Sequence, residues 1–143
     1  MKTEKGFSLL ELLIVVAIIL IIATIAIPSL LRSRQVAHET SAVASLKTLN
    51  TAQISYTAIS GGTYGPMTEL VNAGLVDSRF NTTISGYNYT FDLASNLRNF
   101  TVYATALTAN EGRYDYSTAP DYVIRYTTVT SRAPLGMAGQ PVR

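Results

Sequence analysis

Residues 7–31, "FSLLELLIVVAIILIIATIAIPSLL", form a run of 25 residues whose single ionisable side chain is Glu11. As a helix the run is about 37 Å long, enough to cross the ~30 Å hydrocarbon layer of a bilayer. Between Leu12 and Ile27 only Thr24 interrupts the apolar sequence. Three readings compete. A secretory signal peptide has a shorter apolar stretch followed by a small-x-small cleavage site, and "IATIAIPS" repeats bulky Ile instead. A permanent membrane anchor fits the length but leaves Glu11 unexplained, since a carboxylate costs about 2.5–3.5 kcal/mol at mid-bilayer and less near an interface. An anchor that later leaves the lipid and packs against copies of itself gives the carboxylate a partner.

The flanks set an orientation. Lys2 and Lys5 precede the run, which favours a cytoplasmic N-terminus. Arg32 and Arg34 on the far side oppose that bias. The remaining ~110 residues suffice for one modest core. The chain has 11 basic and 9 acidic residues, a formal charge of +2. The basic residues are scattered, so no specific nucleic-acid partner is inferred. There is no cysteine, which excludes disulfides, thiolate metal sites and cysteine nucleophiles. The single histidine, His38, lies beside Glu39 in a helical pattern and reads as a solvated helix-face residue. No catalytic motif or cofactor-binding spacing is present, so an enzyme is not expected.

The segment "KGFSLLELLIVVAIILIIATIAIP" resembles the N-terminal signature of type IV prepilins and of the related pseudopilins of type II secretion. The family pattern is a short charged leader ending in Gly, then Phe, then a carboxylate four residues on inside an apolar helix. Here these are Gly6, Phe7 and Glu11. The resemblance implies that a membrane-embedded aspartyl prepilin peptidase cuts between Gly6 and Phe7 and methylates the new amine of Phe7. It also implies that Glu11 of one subunit meets the Phe7 amine of a neighbour. A carboxylate and an amine are each costly to bury alone. Pairing them supplies register more than net affinity, because desolvation offsets the Coulomb gain. The plainer alternative has Glu11 snorkelling to the membrane surface.

Pro28 interrupts the helical hydrogen bonding and predicts a kink in a continuous helix, with the Thr24 hydroxyl placed to bond a freed carbonyl. From Arg32 to about Ser60 the pattern turns amphipathic. Val36, Val43, Leu46, Leu49 and Tyr56, flanked by Ile54, predict the buried stripe; Arg34, Gln35, Glu39, Lys47, Asn50 and Gln53 predict the polar face. Gly61 and Gly62 end the helix.

The fold class expected is α+β, the type IV pilin fold. A helix over about 7–60, kinked near Pro28, packs on a small antiparallel sheet of three to four strands. The domain organisation expected is a removed leader (1–6), a transmembrane and polymerisation half-helix (7–31) and a periplasmic or extracellular head (32–143). The head comprises the amphipathic half-helix (32–60), an αβ-loop (61–85), a sheet (86–130) and a C-terminal tail. In the loop, Pro66, Thr68 and Gly74 bound a short helix. "GYNYTFDL", "NFTVYATAL" and "YVIRYTTV" alternate as strands, and "GRYDYSTAPD" suggests a short edge strand stopped by Pro120. "SRAPLGMAGQPVR" reads as an extended or mobile tail. Many pilins close this region with a disulfide, which a cysteine-free chain cannot form.

Pseudopilins often carry calcium in their C-terminal loops, and Glu111, Asp115 and Asp121 are a weak candidate set whose spacing matches no dense calcium loop. No metal or other cofactor is otherwise expected. "NTT", "NYT" and "NFT" match the N-glycosylation pattern, but strand alternation accounts for them. The function expected is a structural subunit, the major pilin, held in the inner membrane and polymerised into an extracellular helical filament. Its expected partners are copies of itself, the prepilin peptidase and methyltransferase, an inner-membrane assembly platform, minor pilins, and membrane lipid before assembly. The alternatives are a pseudopilin of a type II secretion pseudopilus and, in another class, a monomeric membrane-anchored binding domain.

Overall fold

The computed structural model describes residues 6–127 and 137–142. Helix α1 spans Leu9–Ile59 and is continuous through Pro28. The chain divides into two compact units, 1–33 and 34–143. In the first, the large apolar side chains of residues 7–31 are exposed, from 47% at Val16 to 87% at Phe7. By length and composition this helix can cross a membrane. The Thr24 hydroxyl donates to the Ile21 carbonyl at 2.7 Å. It thus bonds a carbonyl one turn before itself, and not the Thr24 carbonyl that Pro28, lacking an N–H, leaves without its helical partner.

The second unit is a head with its own core. Helix α2 spans Met67–Asn72 and a 3₁₀ turn spans Ser78–Asn81. Pro66 is the N-cap of α2 and makes no side-chain cap bond. Thr68, expected as a cap, lies inside the helix. The 3₁₀ turn, unforeseen in the sequence, is capped by Asp77, which accepts from the Arg79 N–H at 2.8 Å. Five antiparallel strands follow: β1 Tyr87–Leu93, β2 Phe100–Ala106, β3 Tyr116–Thr118, β4 Ile124–Tyr126 and β5 Gln140–Pro141. Their spatial order is β1-β2-β3-β4-β5. Registers run from Tyr87↔Ala106 to Leu93↔Phe100, then Val102↔Thr118, Tyr116↔Tyr126 and Tyr126↔Gln140.

Two strand expectations are corrected. β3 is not an edge: it lies between β2 and β4 and is fully buried. The tail, expected to be extended or mobile, contributes β5, with Val142 N–H donating to the Ile124 carbonyl at 2.8 Å; residues 128–136 of the expected sheet and tail lie outside the described residues.

The α1 face that meets the sheet also differs from the expected stripe. Leu46 and Leu49 are buried as expected, but Val36 and Ile54 are exposed at 44% and 50%. Ala42 and Ala52 take core positions. Glu39, Asn50 and Gln53, expected on the polar face, are buried. Each is compensated, as burial of a polar group demands. Gln53 exchanges two hydrogen bonds with the backbone of Gly65, at 2.6 and 3.1 Å. Asn50 accepts from the Thr118 hydroxyl at 3.0 Å and donates to the Tyr122 carbonyl at 3.2 Å. The latter holds Tyr122 in a left-handed backbone conformation, φ 60°, which a bulky residue adopts only when its surroundings impose it.

Candidate functional site

The site at the start of α1 is built from four residues. Gly6 and Phe7 are exposed and precede the helix. Ser8 is its N-cap: Ser8 Oγ accepts the Glu11 N–H at 3.2 Å, and Glu11 Oε2 accepts the Ser8 N–H at 2.9 Å. This reciprocal pair is a capping box. It satisfies two amides that the first turn leaves without helical partners and places a negative charge at the positive end of the helix dipole. The other Glu11 oxygen, Oε1, takes no hydrogen bond among the described residues. Glu11 therefore has a role within its own chain and a carboxylate oxygen left for a second donor. The signal was in the sequence: Ser8-x-x-Glu11 directly before an apolar run is the capping-box pattern.

A second polar cluster lies at the base of the head. It joins α1 to the loop between β2 and β3. Glu39 accepts three hydrogen bonds from Arg113: from the backbone N–H at 2.8 Å, Nε at 3.1 Å and Nη2 at 2.9 Å. Gln35 donates to the Ala109 carbonyl at 2.7 Å. His38 Nδ1 lies 2.7 Å from Glu111 Oε2. This corrects the reading of His38 as a solvated residue. Its neighbour across the gap comes from a loop 73 positions away in sequence, which helix periodicity could not reveal.

The three candidate calcium ligands do not converge. Glu111 faces His38 and, at 3.5 Å, Arg34. Asp115 is buried, and its Oδ1 accepts the Ala106 N–H at 2.8 Å. Burial raises the Asp115 carboxyl above its ordinary range, against the lowering effect of that hydrogen bond. The bond also takes up the last amide of β2 and so frees the chain to leave the sheet. Asp121 pairs with Arg125, which donates to Oδ1 at 3.0 Å and also to Oδ2, and the Arg125 guanidinium holds the Asp121 carboxyl below its ordinary range. Among the described residues no group of three or more His, Asp or Glu side chains could hold a metal.

Residues 1–27 match the family described as the prokaryotic N-terminal methylation motif. The chain is similar to two curated type IV pilus proteins. It is 38% identical over 85 residues to the type IV wide pilus major component PilA4 of Thermus thermophilus, a match covering 59% of this chain and 65% of that protein. It is 48% identical over 53 residues to the type IV major pilin protein PilA of Myxococcus xanthus, covering 37% of this chain and 24% of that one. The chain thus spans less than two thirds of the length of either relative. No solved structure gives a significant match. The described architecture, a long N-terminal helix followed by a small antiparallel sheet, is α+β and consistent with the pilin fold.

Proposed function

We propose that this chain is a structural subunit, the major pilin, of a type IV pilus. It is held in the inner membrane as a single-pass protein with a cytoplasmic N-terminus and then polymerised through α1 into an extracellular helical filament. The observation that carries this reading is a contrast. The head closes a core of its own, with Leu46, Leu49, Leu70 and Val102 fully buried, while among the described residues the apolar half of α1 is unburied. A surface of that extent needs lipid or protein around it, and the charge at its start favours protein. Two curated relatives named as major pilus components support the same conclusion.

On this reading the prepilin peptidase cuts between Gly6 and Phe7, both exposed ahead of the helix, and the Phe7 amine is methylated. Residues 1–6 are then leader, 7–31 the membrane and polymerisation segment, and 32–143 the head. Loss of Lys2, Glu4 and Lys5 leaves one new ammonium at Phe7 beside the capping box. The capping box keeps Glu11 hydrogen-bonded within the subunit before assembly. In the filament its second oxygen accepts a neighbour's Phe7 ammonium, which fixes register. Pro28 supplies a joint where the helix bends during packing. The assembly platform and minor pilins are the remaining partners. Replacing Glu11 by Ala tests the pairing: membrane insertion should persist and filament yield should fall, whereas wild-type filament yield would refute it.

A further inference from the structure

The β2–β3 loop is fastened to the first residues of the helix within the head. Gln35 donates to the Ala109 carbonyl at 2.7 Å, and Glu39 accepts three hydrogen bonds from Arg113. Further along the helix, Asn50 and Gln53 bond the backbones of Tyr122 and Gly65. Tyr122 packs its ring on Phe100, the first residue of β2. β2 therefore runs toward the Arg34 end of the head, where the chain leaves for the apolar run. Leu31, the last residue of that run, precedes Arg34 by three positions. Three residues span at most about 11 Å by any path, and a phospholipid headgroup layer is about 5–8 Å deep.

The chemistry of the loop suits a boundary between lipid and water. From Phe100 to Asn110 no residue is charged. Leu107 is 53% exposed, and Thr108, Ala109 and Asn110 are exposed beside it. The acids of this region are turned inward. Glu39 and Asp115 are buried, and Glu111 faces His38 and Arg34. Arg34 is turned outward: its side chain is 60% exposed, and its 3.5 Å contact with Glu111 engages one of five guanidinium donors. The free donors match phosphate oxygens in geometry.

We propose that residues 107–110 and Arg34 form a membrane-contact surface of the head. It sits on anionic phospholipid headgroups while the apolar half of α1 is in the bilayer. Leu107 enters the edge of the acyl layer, and Arg34 binds headgroup phosphate. One surface leucine needs no partner by itself. Its position beside an outward-facing cation, on an uncharged loop close in sequence to the membrane segment, carries the inference. The inference rests on the membrane-held state proposed above.

The test uses the full chain in bicelles of phosphatidylcholine and phosphatidylglycerol, with a trace of lipid carrying a nitroxide on its headgroup. The nitroxide should broaden the amide signals of residues 107–110 and spare those of residues 94–99, at the opposite end of β1 and β2. Proximity alone would give that contrast, so two variants decide. Leu107→Asn and Arg34→Gln should each reduce the broadening at 107–110 by about twofold or more. Leu107 is exposed, so neither change should alter the melting temperature of the head. Equal broadening in the two loops, or broadening unchanged in both variants, would overturn the contact surface. A water-soluble paramagnetic agent checks the membrane reading separately: if it reaches residues 12–27, that reading fails, whereas a protected span without loop contact sinks this inference alone.

Discussion

Ser8 and Glu11 cap each other: each backbone N–H at the start of α1 is accepted by the other residue's side chain, at 2.9 and 3.2 Å. A carboxylate that looks misplaced in an apolar run is thereby tied into the first helical turn. Ser8→Ala should fray that turn at a cost of about 0.5–2 kcal/mol, and Ser8→Thr should preserve it. Amide exchange of residues 9–12 in micelles reads the difference; equal protection in all three chains would contradict the capping role.

Glu39 and Arg113 make the strongest tie between α1 and the β2–β3 loop. Glu39 is 6% exposed, so Arg113→Ala leaves a buried carboxylate short of two charge-assisted bonds. The expected loss is about 2 kcal/mol, discounted because the Arg113 side chain is 41% exposed. Urea unfolding of the full chain should show it. Removing Glu39 and Arg113 together by Gln and Ala should cost less than the sum of the single losses.

Asp115 and Asp121 should respond to pH with opposite signs. The Asp115 carboxyl is raised by burial, so its contribution favours folding on the acid side and is lost as pH rises through its folded value. Asp115→Asn should therefore raise the melting temperature at pH 7 relative to its effect at pH 3. The Asp121 carboxyl is lowered by Arg125, so its contribution is present above the ordinary carboxylate range and lost as pH falls through its folded value. Asp121→Asn should lower the melting temperature at pH 7 and change it less at pH 2. Parallel pH profiles for the two variants would contradict both assignments.

Gly112 leaves room for Tyr87. A Cβ there would lie 1.9 Å from the Tyr87 hydroxyl oxygen, which donates to the Tyr114 carbonyl at 2.7 Å. Gly112→Ala should destabilise the head by about 1–3 kcal/mol, measured by thermal unfolding. Adding Tyr87→Phe removes the closest atom but not Cζ at 2.6 Å, so recovery should be partial; full stability of Gly112→Ala would contradict the packing.

What the sequence made legible was whatever local pattern controls. The apolar run, the alternation of Tyr87, Tyr89, Phe91 and Leu93, and the core face of β2 all follow from period and hydrophobicity. The polar half of the core did not show, because Glu39, Asn50 and Gln53 are compensated by partners 12–74 positions away. Their identity alone argues for solvent. The same limit hid the interior position of β3: a three-residue strand ending just before Ala119 and Pro120 looks like an edge until β4 is seen to cover it. At the candidate site, Gly6, Phe7 and Glu11 stood out by motif, whereas Ser8 was overlooked although its spacing to Glu11 is a local signal.

The N-terminal mass of this chain in filaments sheared from the surface of the cell that makes it tests the central claim most directly. A chain beginning at N-methylated Phe7, as the main component of those filaments, is the predicted result. Absence of the chain from the filaments, or its presence there with residues 1–6 still attached, would contradict the account.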